Sequence, residues 1–583
     1  MARLEAIETT HADGHIDYLD HKAVGGDLQS MPKGYYRSLD FIMTFIAICF
    51  ASICAYLGWH IRTLIDADIG PSKNLNWVAT TWTLGSAIGF LLVGRLSDIF
   101  GRKWMVLGCQ VLGTIGMIVG ATAQTINTLI GANMLNGIAA AGQLSFGFIL
   151  GELVSNKHRG IAVSAIFFSS MPFAVFGPSI ARAFILHTGA GWRWSYYLGI
   201  IISTLSGILY QFFYHPPRFD QLHMQGKTKW QQFKELDFIG IVLFIGGTVV
   251  FLIGFSWGGS QYPWKSTQVI CTLVIGGLVL VGFGLYEQFV FKGQALMPPR
   301  MFRKVSFVAI IVVAVVGAMV YYSLTILWPS ILVAVYGLDT VQVGLQSSVV
   351  GGGILLGQCF GGIGLSYIPK VKWQVIFFSV CGTAFVGGLA CLNENNHATF
   401  IALGVMGTFV IGWVDLISFT AVTLVWEPQD IGLATGVLGS IRALGGAVAQ
   451  SLYVSILTNK LTTYLPKYVV PAATNAGLPS TSLPALFAGI TAGSFTSVPG
   501  ITPAIISTVS VAVRRAYIEA FHIVFYSTIP FGVCLIIAAC FVPDMKNFLH
   551  GNVARRLQGN KKNAVEREPQ TVQEINEKHA HHV

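Results

Sequence analysis

The residues best suited to chemistry lie together in one polar segment, residues 94–103, with the sequence GRLSDIFGRK. Asp98 supplies a carboxylate that can pair with Arg102, and Lys103 adds a second cation. Gly94 and Gly101 allow close helix approach and a tight turn. This combination favours a gate, because such pairs can form in one state of a protein and break in another. The alternative, a basic turn that fixes membrane topology, accounts for Arg102 and Lys103 but not for Asp98 with the two glycines.

A second group of candidates consists of charged residues inside long apolar runs. Asp415 lies deep within the run from residue 399 to 426, and Arg182 and Arg442 lie within other runs. A charge in hydrocarbon is costly unless it is paired or faces a cavity, so these positions are candidates for proton coupling. Asp415 is the first choice, because an intramembrane carboxylate can take up a proton when its site closes to water. The alternative is a structural ion pair of Asp415 with Arg182 or Arg442.

Two further residues are candidates for the substrate cavity. Gln143 lies 272 positions before Asp415, the offset of an internal repeat, which would place both near the centre of the molecule. Trp413, with Trp82 and Trp328, could line a cavity for a bulky, partly apolar substrate. Packing in the core or against lipid is the alternative for all three indoles.

The elements that must position these residues are membrane-spanning helices. The chain has 583 residues, of which 53% are hydrophobic and only 11% charged, against roughly 25% charged in soluble domains. Such a chain cannot cover a water-facing surface, and its apolar runs are long enough to cross hydrocarbon. The predicted fold class is an all-α membrane protein with about fourteen spans arranged as six, two and six. The predicted spans begin near Phe41, Trp77, Trp104, Thr128, Gly160, Trp194, Phe238, Thr267, Phe307, Val341, Trp373, Thr399, Ala434 and Phe521.

These runs divide the chain into six parts. They are an N-terminal tail (1–38), a first six-helix bundle (39–214), a loop (215–237), two inserted helices (238–290), a second six-helix bundle (305–543) and a C-terminal tail (544–583). The second bundle contains a long outside loop at 459–520, predicted to pack on the surface, with a re-entrant or interfacial segment as the alternative. The C-terminal tail is polar and is predicted to be disordered.

The distribution of Lys and Arg predicts the orientation. With the N-terminus inside, 26 of the 36 basic residues fall in inside segments, 8 in outside segments and 2 within spans. Cytoplasmic loops are enriched in these residues, so both termini are predicted to be cytoplasmic. The formal charge of +10 is then a topology signal with some attraction to anionic lipid, and not the footprint of a nucleic-acid partner.

An internal repeat is visible in two short echoes. Residues 96–99 and the Lys-Trp pair that follows recur at an offset of 269, and residues 160–162 recur at 432–434, an offset of 272. Repeated helical bundles are a transporter architecture. The repeat unit is six spans, and the two central spans are an insertion.

Other classes of function lack their motifs. The sequence has no HExxH and no phosphate-binding Walker loop, which argues against a hydrolase or an ATP-driven pump. The nine cysteines lie within or at the edges of apolar runs, without the spacing of a metal site or a disulfide framework. The chain is therefore predicted not to be an enzyme and to need no cofactor or metal. Its first 38 residues are polar, so no signal peptide is predicted.

Residues 94–103 resemble the loop signature of the major facilitator superfamily, which implies a gating role for Gly94, Asp98, Gly101, Arg102 and Lys103. Gly177 and Pro178 resemble the Gly-Pro motif of proton antiporters in the same superfamily. The match is partial, because Phe173 and then Ala181 and Arg182 stand where that motif has glycines. Asn133 stands where the family has an arginine that assists proton transfer.

The narrower resemblance is to fourteen-span drug:proton antiporters. It is carried by the run GWRWSYYLG at residues 191–199 and by the two inserted spans. Within that group, GRLSDIFGRK, LNGIAAAGQLSFGFILGEL and the long last loop are similar to the fungal trichothecene efflux pump family, which is close to fungal siderophore-iron transporters.

This resemblance implies a major facilitator-like bundle and proton-coupled efflux of a secondary metabolite, toxin or drug-like compound by alternating access. The implied partners are a small-molecule substrate, protons and membrane lipid. The protein is expected to be a monomer in the plasma membrane, with the vacuolar membrane as the alternative. A siderophore-iron uptake symporter and, less favoured, a non-transporting membrane sensor remain open as other functions.

Overall fold

The computed structural model describes residues 6–10, 16–20, 24–27, 34–55, 62–70, 72, 74–75, 77–217, 229–259, 261–291, 293–492, 498–555 and 557. Across these residues, thirteen helical segments are long and apolar enough to cross a membrane. The 17-residue helix that begins at Leu39 is shorter, and with it the number is fourteen. The predicted all-α fold with about fourteen spans is confirmed.

The first half contains eight helices. They are α1 Leu39–Ala55, α2 Arg62–Ile69, α3 Trp77–Phe100, α4 Arg102–Ala121, α5 Ile126–Gln143, α6 Phe146–Leu153, α7 Arg159–His187 and α8 Arg193–Phe213. The short α9 (Lys229–Lys234) precedes the inserted pair, α10 (Phe238–Trp257) and α11 (Thr267–Phe289).

The second half begins with α12 (Pro299–Phe302) and has eight further helices. They are α13 Val305–Ala334, α14 Thr340–Tyr367, α15 Val371–Gly388, α16 His397–Val425, α17 Ile431–Asn475, α18 Leu483–Ala492, α19 Pro503–Tyr526 and α20 Ile529–Phe541. Four short strands lie at the termini: β1 Ala6–Thr10, β2 Ile16–Asp20, β3 Val24–Asp27 and β4 Asn552–Arg555.

The two halves use the same packing scheme. In the first half α3 packs on α5 and α1 on α7, and in the second α14 packs on α16 and α13 on α17. The halves meet along two seams, α3 with α17 and α7 with α14. Each seam joins the second span of one half to the fifth span of the other, so the central residues lie between two equivalent bundles.

The inserted pair lies outside the seam of α3 and α17. Leu252 of α10 is buried with Leu84 of α3 and Ala447 of α17 in one apolar cluster. Near the end of α11, the carboxylate of Glu287 accepts the backbone N–H groups of Leu296 at 2.7 Å and Met297 at 2.9 Å, which lie beyond the helix. This clasp fixes the connection from the inserted pair to the second half.

Most of the described residues in 459–520 are helical, so the prediction of a surface-packed loop is wrong for their conformation. Helix α17 has 45 residues, about 68 Å at 1.5 Å per residue, which is far more than the roughly 30 Å of a bilayer core. Its extension packs against α19, burying Val469 with Val509. Apolar residues at helical spacing outweigh Pro466 and Pro471, which lie inside α17. The protruding helices form a small subdomain with its own core.

The sequence predicts tails at the two ends of the chain, but their described residues include four short paired strands. Strand β1 pairs with β2, and β3 pairs antiparallel with β4, so that Gly26 lies opposite Val553. The C-terminal residues 545–555 are therefore ordered, against the prediction of disorder, because they gain backbone partners from the other end of the chain. Residues 558–583 lie outside the described part.

Candidate functional site

The predicted gating segment forms a row of charges at the end of the bundle where α3 stops and α4 begins. We call this end, defined by residues 94–103, the motif face. Gly101 makes the turn with a φ of 95°, a conformation that side chains disfavour. Asp98 Oδ1 then lies 2.6 Å from Arg102 Nη2, and Arg102 Nε donates to Glu152 Oε1 at 3.0 Å. A guanidinium is thus held between two carboxylates, one from α3 and one from α6.

Glycines let the two halves touch at this face. A Cβ placed on Gly94 of α3 would lie 2.8 Å from the carbonyl oxygen of Gly432 and 3.0 Å from the Cα of Gly436, both on α17. On the other seam, a Cβ on Gly160 of α7 would lie 2.7 Å from the carbonyl oxygen of Gly362 on α14. Backbone therefore meets backbone, as in other closely packed membrane helices. The motif face is closed in this structure.

Lys103 and Tyr214 lie at the edge of the charge row. Lys103 Nζ donates to the Gln211 carbonyl oxygen at 2.6 Å, so it holds the end of α8. Tyr214, just beyond α8, is buried. Burial raises the pKa of its hydroxyl well above the usual value, and the charge of Glu152 raises it further. The phenol therefore stays neutral beside the gating residues.

The antiporter-like residues Gly177 and Pro178 lie within α7, which continues as a helix to His187. Pro178 has no backbone N–H, so it cannot donate the helical hydrogen bond to the carbonyl of Ala174, which lies one turn earlier in the helix. This carbonyl faces α14, where a Cβ placed on Gly351 would lie 2.9 Å from its oxygen. The motif thus forms part of the close contact between the two halves.

Asp415 of α16 is the centre of a buried polar network. Its Oδ1 accepts from Arg442 Nε at 3.1 Å, and its Oδ2 accepts from Arg442 Nη2 at 3.0 Å. Gln358 of α14 donates its Nε2 to the same Oδ2 at 2.9 Å. The Asp415 residue is 2% exposed. Between the two partners left open by the sequence, the structure pairs Asp415 with Arg442, and three helices meet at one carboxylate.

A central cavity of about 560 Å³, counted with its open mouth, adjoins this network. Ligand cavities commonly combine apolar walls with few polar groups. Arg442 and Gln358 supply the polar groups, and Tyr322 is within hydrogen-bonding reach of Arg442. The lining residues are Ala55, Trp82, Leu144, Ala174, Tyr321, Tyr322, Gly351, Ile354, Leu355, Gln358 and Arg442. Asp415 is not a lining residue, but it is bonded to Gln358 and Arg442, which are.

Trp413 does not line this cavity. Its ring stacks on Phe378 with centroids 4.4 Å apart, and its Nε1 donates to Gln374 at 3.3 Å. Residues two apart on a helix point in nearly opposite directions. Trp413 therefore faces α15, whereas Asp415 faces the centre of the molecule. Trp328 is also a core residue, stacked on Phe400 at 4.6 Å. Of the three indoles considered from the sequence, Trp82 lines the cavity.

Gln143 and Arg182 also lie away from Asp415. A Cβ placed on Gly113 of α4 would lie 2.6 Å from Gln143 Nε2, so this amide faces its own bundle. Helix α5 ends at Gln143 whereas α16 continues through Asp415, which breaks the register expected from the repeat. Arg182 lies against α14, where a Cβ on Gly344 would lie 3.2 Å from its Cζ. Neither belongs to the network around Asp415.

Sequence reasoning missed three residues of these networks. Gln358 carried no charge to draw attention inside its span. Glu152 lies near the end of an apolar run, and in the structure it is 1% exposed and anchors Arg102. Arg159 lies just before the next apolar run, and it is buried and donates to the Thr423 carbonyl oxygen at 2.7 Å across the two halves. A charge immediately beside an apolar run was the available signal for the last two.

Among the residues that the structure describes, no three His, Cys, Asp or Glu side chains come together as a metal site.

Comparison with known proteins places this geometry in context. A family model described as the fungal trichothecene efflux pump (TRI12) matches residues 10–573. The trichothecene efflux pump TRI12 of Fusarium sporotrichioides is 31% identical over 562 residues, covering 94% of this chain and 93% of that protein. The protein of the same name from Trichoderma arundinaceum is 31% identical over 558 residues, covering 93% of this chain and 92% of that protein.

A solved structure agrees at the level of the fold. The major facilitator superfamily proton:xylose symporter XylE, bound to 6-bromo-6-deoxy-D-glucose, aligns with a TM-score of 0.52 and 15% sequence identity. The alignment covers 89% of this chain and 98% of that one. The predicted major facilitator fold is confirmed.

Proposed function

The chain belongs to the fungal trichothecene efflux pump family, and from this membership we propose that it exports a trichothecene or a toxin of similar size. Export is driven by protons that move down their gradient as the substrate moves out. The substrate binds in the central cavity, against the ring faces of Trp82 and Tyr322 and the polar groups of Gln358 and Arg442.

The observation that carries this proposal is the contact between the cavity and Asp415. Gln358 and Arg442 face the cavity and also hold the buried carboxylate. Protonation of Asp415 removes the charge that Arg442 balances, so both groups become available to an acceptor atom on the substrate. Conversely, a substrate that binds either group weakens its hold on Asp415. Proton and substrate occupancy are therefore linked through shared partners, as coupled transport requires.

Alternating access follows from the two seams. The structure has the motif face closed, with Gly94 against Gly432 and Gly160 against Gly362. Opening this face separates the seams and places the charge row of Asp98, Arg102 and Glu152 in water. The bias of basic residues supports a cytoplasmic motif face and cytoplasmic termini. The substrate would then enter from the cytoplasm when this face opens and leave at the opposite end when it closes.

The plasma membrane and a monomeric state are part of the same proposal. Export out of the cell supports the plasma membrane. A cavity lined by residues of a single chain supports a monomer. The siderophore-iron uptake function is not favoured, because the relatives reported above are efflux pumps. The alternative of a membrane sensor that does not transport is tested by the flux measurement described next.

The test uses the full-length protein in membrane vesicles of both orientations with an imposed pH gradient and a labelled trichothecene. We expect accumulation in inside-out vesicles with an acidic lumen, abolished by a protonophore. Accumulation confined to right-side-out vesicles would overturn export in favour of uptake. Flux that does not depend on the pH gradient would overturn proton coupling. Binding of the labelled trichothecene without any flux would favour a sensor.

A further inference from the structure

The C-terminal segment crosses the motif face from one half of the molecule to the other. We call residues 545–555 the strap. At one end Met545 is fully buried in the core of the second half, and the turn Met545–Asn547 contacts α15. At the other end β4 contacts α6 of the first half. One ordered segment is thus attached to both halves at the place where they meet.

Backbone hydrogen bonds fix the path of the strap along the turn between α6 and α7. The Asn156 N–H donates to the Asn552 carbonyl oxygen at 3.2 Å, and the Lys157 N–H donates to the His550 carbonyl oxygen at 3.1 Å. The Asn156 side chain donates to the Phe548 carbonyl oxygen at 3.1 Å. Together with the pairing of β3 and β4, these bonds satisfy the strap's polar groups in one specific position.

At its end the strap delivers Arg555 to the charge row. Arg555 Nη1 lies 3.1 Å from Glu152 Oε1, the same oxygen that Arg102 contacts at 3.0 Å through Nη2. The side chain of Arg555 is 10% exposed and that of Glu152 is 2% exposed. A carboxylate removed from water needs charged or hydrogen-bonded partners, and here two cations share it. Asp98, Arg102, Glu152 and Arg555 together carry no net charge.

We propose that Arg555 is a positioning residue of the transport cycle, which holds Glu152, and through it Arg102, in the arrangement of the closed motif face. The proposal rests on the alternating-access function proposed above. Because Met545 is held in the core of the second half, separating the two halves at this face detaches Arg555 from Glu152. Arg102 also lies against Gly432 of the second half, so its position is part of the seam itself. The strap therefore favours the closed face, and its release accompanies opening.

The test measures opening without any substrate. Ser145 lines a small space behind the contact of Gly94 with Gly436, so a Ser145→Cys reporter reacts with a thiol reagent when the motif face opens. Labelling is followed by mass spectrometry in full-length protein in nanodiscs, where both faces are accessible. We expect Arg555→Ala to raise the labelling rate about tenfold, within the usual range of coupling between sites. Arg555→Lys, which keeps the positive charge, is expected to be labelled nearly as slowly as the protein with Arg555 intact.

Two controls separate positioning from general loss of structure. Lys546→Ala removes an exposed cation of the strap and is expected to leave the labelling rate unchanged. In a Glu152→Gln background, Arg555→Ala is expected to have little further effect, because the partner through which it acts is gone. An unchanged rate in Arg555→Ala, or an equal effect with and without Glu152, overturns the proposal.

A crosslink gives a second test that does not depend on weakening the fold. Asn156 Nδ2 and His550 Nδ1 lie 3.3 Å apart, so Asn156→Cys with His550→Cys can be joined by a short crosslinker that attaches to each thiol through a reducible disulfide. We expect the joined protein to lose flux at least about tenfold and to regain it on reduction, since the strap can no longer release. Full flux in the crosslinked protein overturns the proposal. The labelling result holds even if the substrate class proposed above is wrong.

Discussion

Asp415 and Arg442, 27 residues apart on consecutive long helices, form a two-point ion pair with contacts of 3.1 and 3.0 Å. The carboxylate is almost fully buried and the guanidinium faces the central cavity. Two-point pairing fixes geometry as well as charge. This pair is therefore both the structural ion pair that the sequence left open and a contact between the cavity and the proposed proton site.

Replacing Asp415 with Asn keeps the shape of the side chain and removes its charge. Gradient-driven flux should fall by at least about tenfold, because the group that binds the proton is lost. Gln358→Glu is the matched variant, since it adds a second carboxylate beside the first and should alter the pH profile of flux. Both are measured in vesicles with and without a pH gradient. Unchanged coupling in Asp415→Asn would remove this residue from the mechanism.

Adding one methyl group at Gly94 should oppose closure of the motif face. The new Cβ would lie 2.8 Å from the Gly432 carbonyl oxygen, and overpacking of this kind costs about 1–3 kcal/mol. The expected result of Gly94→Ala is a lower maximal flux and faster thiol labelling of a Thr435→Cys reporter. Gly108→Ala on α4 is the control, because its Cβ would meet no neighbour within 4 Å. Equal behaviour of the two variants would contradict a closed seam.

Two tryptophans should separate substrate binding from core packing. Trp82→Ala removes an aromatic wall of the cavity and should raise the KM for the substrate by about tenfold, near the value of one good aromatic contact. Trp413→Ala removes a buried stacked ring and should lower the thermal stability of the purified protein. The KM of the folded fraction of that variant should not change. A raised KM in Trp413→Ala, with an unchanged KM in Trp82→Ala, would place the substrate against α15.

The protruding subdomain should depend on its own small core. Val469 is fully buried there, and a buried unpaired carboxylate costs several kcal/mol. Val469→Asp should therefore make α18 and α19 susceptible to protease and lower thermal stability. Thr474→Asp, at an exposed position one turn further along the same helix, is the control. Protease resistance equal in both variants would mean that this cluster does not hold the subdomain.

The number and nature of the spans could be predicted because hydropathy is a property of each segment taken alone. A run of about 20 apolar residues crosses hydrocarbon whatever its neighbours do. The turn at Gly101 and the pairing of Asp98 with Arg102 are also local, four residues apart on the chain. For the same reason the family resemblance could be read from short motifs.

Contacts between distant segments could not be predicted in the same way. Asp415 had two possible cations at similar depth, and only the rotation of α17 on its axis presents Arg442 to it while Arg182 lies against α14. Trp413 and Asp415 are two residues apart, yet the packing of α16 sends one into the core and the other toward the cavity.

The sequence by itself determined that this is a membrane transporter of about fourteen helices, with Asp98 and Arg102 placed to pair between its second and third spans, because apolar length and short-range charge spacing suffice for that. The tertiary structure decided that Glu152 and Arg555 join the charges around Arg102, that Gln358 joins Asp415, and that the described residues of 459–520 and 545–555 form helices, turns and a strand. These outcomes depend on partners hundreds of residues away, as with Arg555 and Glu152. A polar group's partner is set by which helix faces meet, and that is a property of the folded bundle.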